Sequence, residues 1–307
     1  MMQPSQRGLL FGALGVFIFA LTLPMTRLAV GDASAPQLPP AFVTAGRAAV
    51  AGLLSVTYLL FVGARWPARR LWPALAVSAA GTVVGFPLLI ALALRQVDAM
   101  HAAVVTGVLP LGTAVVAALV LRQRPSLGFW LCALLGAALV VLFAAWSGSG
   151  RLSLADAYLL LAVVSGSIGY VAGARVTQGS AAPAPGRLQL LPAQQVICWV
   201  LVGSLPFTVP ATLAFWPPHA ASAGAWLGFA YASVFSMWLG FFAWYHGLAL
   251  GGVVRVSQVQ LLQPFLTLLF AVPLLGEKLE PLTLGFTLSV MAVVFVGRKM
   301  PAGQPAR

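Results

Sequence analysis

Apolar runs of about twenty residues follow one another along almost the whole chain, separated by short polar or proline-rich breaks. A helical run of that length spans the hydrocarbon core of a bilayer. Of the 307 residues, 61% are hydrophobic and only 7% are charged. No polar stretch is long enough to form a soluble domain. The chain is therefore expected to be an all-α polytopic protein that lies in a lipid bilayer.

Dividing the chain at its turn-forming and charged clusters predicts ten transmembrane helices. Their approximate bounds are 8–29, 39–63, 71–92, 99–121, 127–146, 154–174, 191–214, 223–247, 253–275 and 282–299. With the N-terminus inside, twelve Lys and Arg fall on the cytoplasmic side and five on the other. Because basic residues favour the cytoplasmic side, this predicts an inner (cytoplasmic) membrane protein with both termini in the cytoplasm.

Two segments of the chain are related by an internal repeat. Residues 81–125 can be laid on 235–279 without a gap, at an offset of 154. Pro110 then falls on Pro264, and both segments end at the same kind of polar turn. The first copy is predicted to end inside and the second outside, so the copies are inverted.

The ends of the first and sixth helices, "TRLAV" and "ARVTQ", correspond as well, with Arg27 on Arg175. The sequence therefore predicts an inverted 5+5 repeat, with halves 1–150 and 151–307 forming one membrane domain. Inverted repeats suit alternating access to a central site. One chain is then sufficient for a complete pathway, and the oligomeric state is left open.

Three stretches resemble a known family: "LLQPFLTLLFAVPLLGEKLEP", "AWLGFAYASVFSMWLGFFAWYHGLAL" and "PPAFVTAGRAAVAGLL". Over nearly its whole length the chain resembles the EamA-type drug/metabolite transporter superfamily, with the YddG-type amino-acid exporters as the suspected branch. The resemblance implies a ten-helix carrier with a central cavity lined by helices 1, 3, 4, 6, 8 and 9. The chain departs from the family after the fourth helix, where Arg122-Gln123-Arg124 replaces the usual acidic turn.

Polar residues and prolines share one face of the ninth and fourth helices. On the ninth they lie within an arc of about 80°, with Gln263 at its border: Ser257, Gln260, Pro264 and Thr267. On the fourth they lie within about 60°: Thr106, Pro110 and Thr113. Lipid cannot satisfy polar groups, so these faces are expected to border a substrate cavity that the prolines open. Ordinary kinks and interhelical hydrogen bonds are the alternative.

Other helices contribute further substrate-binding candidates. Trp238 lies on the aromatic eighth helix, Ser165 and Tyr170 on the sixth, Thr82 and Phe86 on the third, and Thr22 on the first, beside a kink at Pro24. For Trp238 the alternative is contact with lipid. For the other candidates it is helix packing. Arg47 is expected to extend along its helix toward the headgroups, as arginines near helix ends do.

The scarcity of acidic residues and histidines in the predicted spans argues against several classes of protein. All five acidic residues fall at predicted membrane edges, and the three histidines do not have metal-ligand spacing. No catalytic residues, metal or cofactor are therefore expected, and an enzyme is disfavoured. The basic residues sit at helix ends, so nucleic acid is not an expected partner.

The sequence thus predicts a secondary transporter of small polar or amphipathic metabolites. Amino acids are the best single substrate class, and export is the favoured direction. A passive pore and a non-transporting membrane subunit are the alternatives. Uniport and proton exchange both stay open, because no buried carboxylate is predicted to relay protons.

Overall fold

The computed structural model describes residues 4–120, 122, 125–147, 151–177, 191–251, 256 and 258–300. In this part of the chain there are ten helices, some of them in pieces. They are α1 (Pro4–Ala20 and Thr22–Val30), α2 (Pro40–Phe61), α3 (Arg69–Ala93), α4 (Ala99–Thr106 and Leu109–Val120), α5 (Leu127–Ser147), α6 (Leu154–Val176), α7 (Ala193–Ala214), α8 (Ala223–Ala230, Tyr231–Leu239 and Gly240–Gly251), α9 (Gln258–Leu262 and Gln263–Leu275) and α10 (Pro281–Lys299).

The predicted ten-helix fold is confirmed. Eight of the described helices are long and apolar enough to cross a membrane, and two shorter apolar helices cover Val259–Leu275 and Pro281–Gly297. Two predicted bounds differ by four residues: α1 begins at Pro4 rather than 8, and α8 continues to Gly251 rather than stopping at 247, while the predicted start of the ninth helix at 253 lies outside the described residues. The "LALGG" segment holds no proline or charge that would end the helix earlier.

Three helices are interrupted next to a proline. α1 breaks at Leu21, before Pro24, and α4 breaks at 107–108, before Pro110. α9 changes from a 3₁₀ helix to an α-helix at Gln263, before Pro264. A proline has no N–H to donate and crowds the carbonyl four residues earlier, so a break at this point follows from the chemistry.

The carbonyl released by Pro24 finds a donor on another helix. It belongs to Ala20, and it accepts a 2.8 Å hydrogen bond from the hydroxyl of Thr267 on α9. The same hydroxyl lies 3.0 Å from the carbonyl of Gln263. The break in α1 is thus tied directly to α9, which satisfies a polar group that lipid could not.

The third and eighth helices each contain a π-helical segment. These segments cover Ala79–Gly85 in α3 and Tyr231–Leu239 in α8. At the repeat offset of 154, residues 79–85 fall on 233–239, inside the second segment. π-helical turns are rare and frequently occur at functional sites. The repeat therefore relates helix irregularities as well as residue types.

The helix contacts have the symmetry of an inverted repeat. α1 lies against α8 and α9, and its counterpart α6 lies against α3 and α4. The pairs α2 with α7, α4 with α9, and α5 with α10 each join a helix to its own counterpart. The first helix of each half therefore packs against the third and fourth helices of the other half.

The contact between α3 and α6 brings two backbones together. A Cβ atom added to Gly81 would lie 2.6 Å from the Cα of Gly169 and 2.6 Å from the carbonyl oxygen of Ser165. The Ser165 hydroxyl donates a 3.2 Å hydrogen bond to the carbonyl of Gly81. Small residues at this crossing permit a separation that a larger side chain would prevent.

Candidate substrate-binding site

A cavity of about 60 Å³ lies where α4 and α9 are interrupted, and α1 and α10 complete its wall. Six of the residues that the sequence singles out line it: Thr106, Pro110, Gln260, Gln263, Pro264 and Thr267. The cavity is also lined by two apolar residues that the sequence analysis did not indicate, Leu23 of α1 and Met291 of α10. The two helix breaks thus bring the candidate residues of α4 and α9 into one cavity.

The lining of this cavity is nearly two-fold symmetric. Lining positions 106, 107, 109 and 110 of α4 fall on lining positions 260, 261, 263 and 264 of α9 at the offset of 154. Thr106 is therefore the counterpart of Gln260, and each stands four residues before a proline. The two halves of the chain contribute equivalent walls.

The chemistry of the cavity combines released backbone oxygens with side-chain amides. Neither Pro110 nor Pro264 can donate to the carbonyl four residues earlier, on Thr106 and Gln260 respectively. The amides of Gln260 and Gln263 add donors and acceptors. A cavity of about 60 Å³ has room for only a few waters, so a metabolite requires it to widen.

A second polar cluster, the arginine cluster, joins α1, α2 and α8. The hydroxyls of Thr22 and Ser236 are 2.8 Å apart, and Arg47 donates a 3.1 Å hydrogen bond to Ser236. The expectation that Arg47 extends to the headgroups is wrong, because the residue is only 5% exposed. Residues 42–49 are all buried, so this part of α2 has no lipid-facing side along which an arginine could extend.

A third site mirrors the arginine cluster in the other half of the repeat. Thr82 and Tyr170, both sequence candidates, line a cavity of about 20 Å³ with Val200 and Tyr245. Thr82 is the counterpart of Ser236 at the offset of 154, and Tyr170 is the counterpart of Thr22 at the offset of 148 that relates Arg27 to Arg175. Tyr170 keeps 36% of its surface exposed and borders this space.

The remaining candidates lie outside the linings of these cavities. Phe86 lies over Gly166, Ser165 bonds to α3, and the Thr113 hydroxyl donates to the Leu109 carbonyl at 2.9 Å. Trp238 is half-buried beside Phe242, and its indole N–H is buried without a partner among the described residues. Ser257 lies outside the described residues.

Glu277 joins α9 to α4 at the end of the bundle that is predicted to face outward. Its two carboxylate oxygens accept hydrogen bonds from the backbone N–H groups of Ala99 (2.7 Å) and Met100 (2.8 Å). These are unpaired donors of the first turn of α4, where the helix dipole favours a negative charge. Burial nevertheless raises the pKa of Glu277 above its ordinary value of 4.5, against the effect of the two donors.

The raised pKa of Glu277 predicts a pH-dependent stability. An acid that holds its proton more tightly when folded stabilises the fold fully below its unfolded pKa of 4.5, and this contribution is lost as pH rises through the higher folded value. Relative to Glu277→Gln, the wild-type protein should therefore lose thermal stability as pH rises above 4.5, through the raised pKa of the folded state. Parallel thermal denaturation curves in detergent measure this difference, and a difference that does not change with pH contradicts it.

Two further charged pairs lie at the same end of the bundle as Glu277. His101 lies 2.7 Å from Asp156, and Arg27 lies 3.8 Å from Asp98. Across the described residues, no three His, Cys, Asp or Glu side chains are grouped as metal ligands would be. In the part of the chain that the structure describes, the polar groups near the middle of the helices are hydroxyls, amides, carbonyls, indole N–H groups and the guanidinium of Arg47.

The EamA-like transporter family matches the chain twice, over residues 6–145 and again over 154–298. The chain belongs to this family. The EamA resemblance of the sequence is thereby confirmed, and the protein is a multi-pass membrane transporter rather than an enzyme. A protein of Bacillus subtilis (strain 168) named "Uncharacterized transporter YdeK" is 41% identical over 300 residues, which cover 97% of this EamA protein and 99% of its relative.

A solved structure, described only as "Crystal structure of protein", superposes with a TM-score of 0.62 at 18% identity. The alignment covers 95% of this chain and 98% of the other. At 18% identity, this similarity supports the fold alone. The YddG-type amino-acid exporter branch stays a prediction.

Proposed function

We propose that this EamA protein is a secondary carrier that exports small polar or amphipathic metabolites, with amino acids as the best single class. It acts by alternating access at the cavity between α4 and α9, in the cytoplasmic membrane, with both termini in the cytoplasm. A single chain is sufficient. The observation that supports this most is the two-fold lining of one cavity by equivalent breaks in α4 and α9.

Equivalent helix breaks supply what a carrier needs at its centre. Discontinuous helices near the midplane present backbone carbonyls and helix ends to the solute. Because the two walls are equivalent and inverted, a rearrangement that opens one end has a mirror image that opens the other. The bonds from Glu277 to Ala99 and Met100 hold the outward ends of α4 and α9 together in the described arrangement.

The arrangement also supports uniport over a proton-coupled cycle. None of the five acidic side chains, all of which are described, lines the cavity between α4 and α9. Proton-coupled carriers commonly use a buried carboxylate as the relay. A solute that accumulates in the cytoplasm would leave down its own gradient without such a group, which is why we favour export.

A flux assay with purified protein in liposomes tests this function. A panel of amino acids and related metabolites is loaded inside, and exchange against external solute is followed with and without a pH gradient. We expect saturable exchange of at least one amphipathic solute that does not need the pH gradient. Flux that rises linearly with concentration would indicate a pore, and the absence of flux for the whole panel would contradict the proposal.

Replacing Gln260 with alanine should lower the exchange rate about tenfold or more. The substitution removes hydrogen bonds that the amide makes to a polar solute, and one such bond changes an equilibrium by about that factor. Thr57→Ala is the matched control, since Thr57 is exposed on α2 and, among the described residues, its hydroxyl bonds to the carbonyl of Leu53 one turn earlier. Wild-type exchange by a well-folded Gln260→Ala protein would show that this cavity is not the solute site.

A further inference from the structure

Arg47 is a buried positive charge that no acidic side chain neutralises. All five acidic residues of the chain are described, and none lies within 4.0 Å of its guanidinium. The side chain is 95% buried, about 10 Å along α2 from its first residue at 1.5 Å per residue. An intramembrane ion without a counter-charge is costly, so its presence points to a function.

The hydrogen bonding of the guanidinium is incomplete as well. An arginine carries five N–H donors. Among the described residues it makes one hydrogen bond, to the hydroxyl of Ser236, and its Nε is buried without any partner. A neutral side chain could make that single bond equally well, so the bond does not account for a charged residue here.

The internal symmetry of the chain shows that the charge is not part of the repeated scaffold. α2 and α7 both contain 22 residues, and aligning their sequences end to end places Val200 on Arg47. The hydroxyl neighbours are preserved in kind, since Thr22 and Ser236 have Tyr170 and Thr82 as counterparts. The guanidinium is therefore an addition to one half of an otherwise polar but neutral pair of clusters.

We propose that Arg47 binds the carboxylate of the transported solute, which makes the substrate an amphipathic monocarboxylate, amino acids included. This inference rests on the proposed carrier function. Arginine suits the purpose because its planar fork can donate two parallel hydrogen bonds to one carboxylate. A single guanidinium surrounded by hydroxyls matches one negative charge rather than a dianion such as phosphate.

The arginine cluster lies next to the cavity between α4 and α9. Leu23 lines that cavity, and the preceding residue, Thr22, is the one that contacts Ser236. The two sites are thus separated by α1 just beyond its break at Leu21. A rotation of the outer piece of α1 about that break would join the sites, so that the carboxylate reaches Arg47 while the rest of the solute occupies the cavity.

Ligand-induced thermal stabilisation in detergent tests the assignment without requiring transport. The probes are leucine and benzoate, each compared with its primary amide, leucinamide and benzamide, and with sodium chloride at equal concentration. We expect at least one carboxylate to raise the denaturation midpoint of the wild-type protein, while its amide and chloride do not. Arg47→Gln should weaken that binding about 30-fold or more, and Arg47→Lys, which keeps the charge but loses the fork, about tenfold.

Several results would overturn the assignment. In the wild-type protein, these are that the amides or chloride stabilise as much as the carboxylates do, or that neither carboxylate stabilises at all. In Arg47→Gln, the contradicting result is unchanged carboxylate binding. The wild-type comparison decides the matter even where the variants do not fold. If carboxylate binding depends on Arg47 but no solute crosses the liposome membrane, the carrier function is rejected and the assignment of Arg47 as a carboxylate-binding residue stands.

Discussion

Replacing Gly81 with alanine is expected to lower the free energy of unfolding by about 3 kcal/mol or more and to reduce the yield of monodisperse protein sharply. The added Cβ would lie 2.6 Å from both the Cα of Gly169 and the backbone oxygen of Ser165. Because both obstacles are backbone atoms, no side-chain rotation can relieve the contact, and α3 and α6 must separate. Thermal denaturation and size-exclusion profiles in detergent measure the effect.

Gly285→Ala is the matched control for this prediction. Gly285 lies inside α10, and a Cβ added there meets no atom within 4 Å. The same chemical change should therefore be neutral, or stabilising by up to about 1 kcal/mol through helix propensity. If Gly81→Ala and Gly285→Ala denature alike, the close approach of α3 and α6 is not what the structure indicates.

Joining α4 and α9 covalently at the end that is predicted to face outward is expected to stop solute exchange completely. The backbone N–H of Met100 lies 2.8 Å from the Glu277 carboxylate, and both residues line one cavity, so the double variant Met100→Cys with Glu277→Cys puts two thiols on neighbouring residues for a short bifunctional thiol reagent. A cross-link replaces a reversible contact with a permanent one, so the outward end cannot open. Exchange in liposomes, before and after treatment with a cleavable reagent, measures the block.

The cross-linking experiment needs a background without other thiols. Cys132 and Cys198 are both free, so each is first replaced by alanine. Each single-cysteine variant should keep its exchange rate after treatment, and reduction of the cleavable link should restore exchange in the double variant. Full exchange by protein that is shown to be cross-linked would mean that α4 and α9 do not separate at this end during the cycle.

The helix breaks were predictable only in part: proline acts locally, but Pro206 and Pro210 lie inside the continuous α7, and Pro273 lies inside α9 without a break. Pro24, Pro110 and Pro264 remove a hydrogen bond from their own helix whatever surrounds them. The repeat then predicted that two of the breaks are equivalent. The ten helices followed from hydropathy, since a membrane requires each span to satisfy its backbone internally.

The site itself depends on contacts that a single helix does not encode. In a largely apolar chain the lipid-facing and protein-facing sides of a helix are both hydrophobic, so the pattern did not separate Thr106, in the cavity, from Thr113 beside it. The position of Arg47 was misread because its burial comes from neighbours on all sides of α2. One signal was present: Ala45, Gly46 and Ala48 around it are small, as residues at helix–helix contacts are.

The π-helical segments had no sequence signal of their own. "AAGTVVG" in α3 and "YASVFSMWL" in α8 share neither a proline nor a charge. Their widened turns arise where these helices meet α6 on one side and α1 and α2 on the other. They therefore follow from tertiary packing, which the repeat places at equivalent depths in both halves.

The exchange of first helices between the two halves means that neither half is self-sufficient. Without α6, the first half loses a helix that packs against α3 and α4, and without α1 the second loses a helix that packs against α8 and α9. A half produced by itself would expose polar hydroxyls and carbonyls to acyl chains. A second copy of the same half could supply the missing wall only by entering the bilayer upside down, so an ancestor half this long would have worked as an antiparallel pair of identical chains.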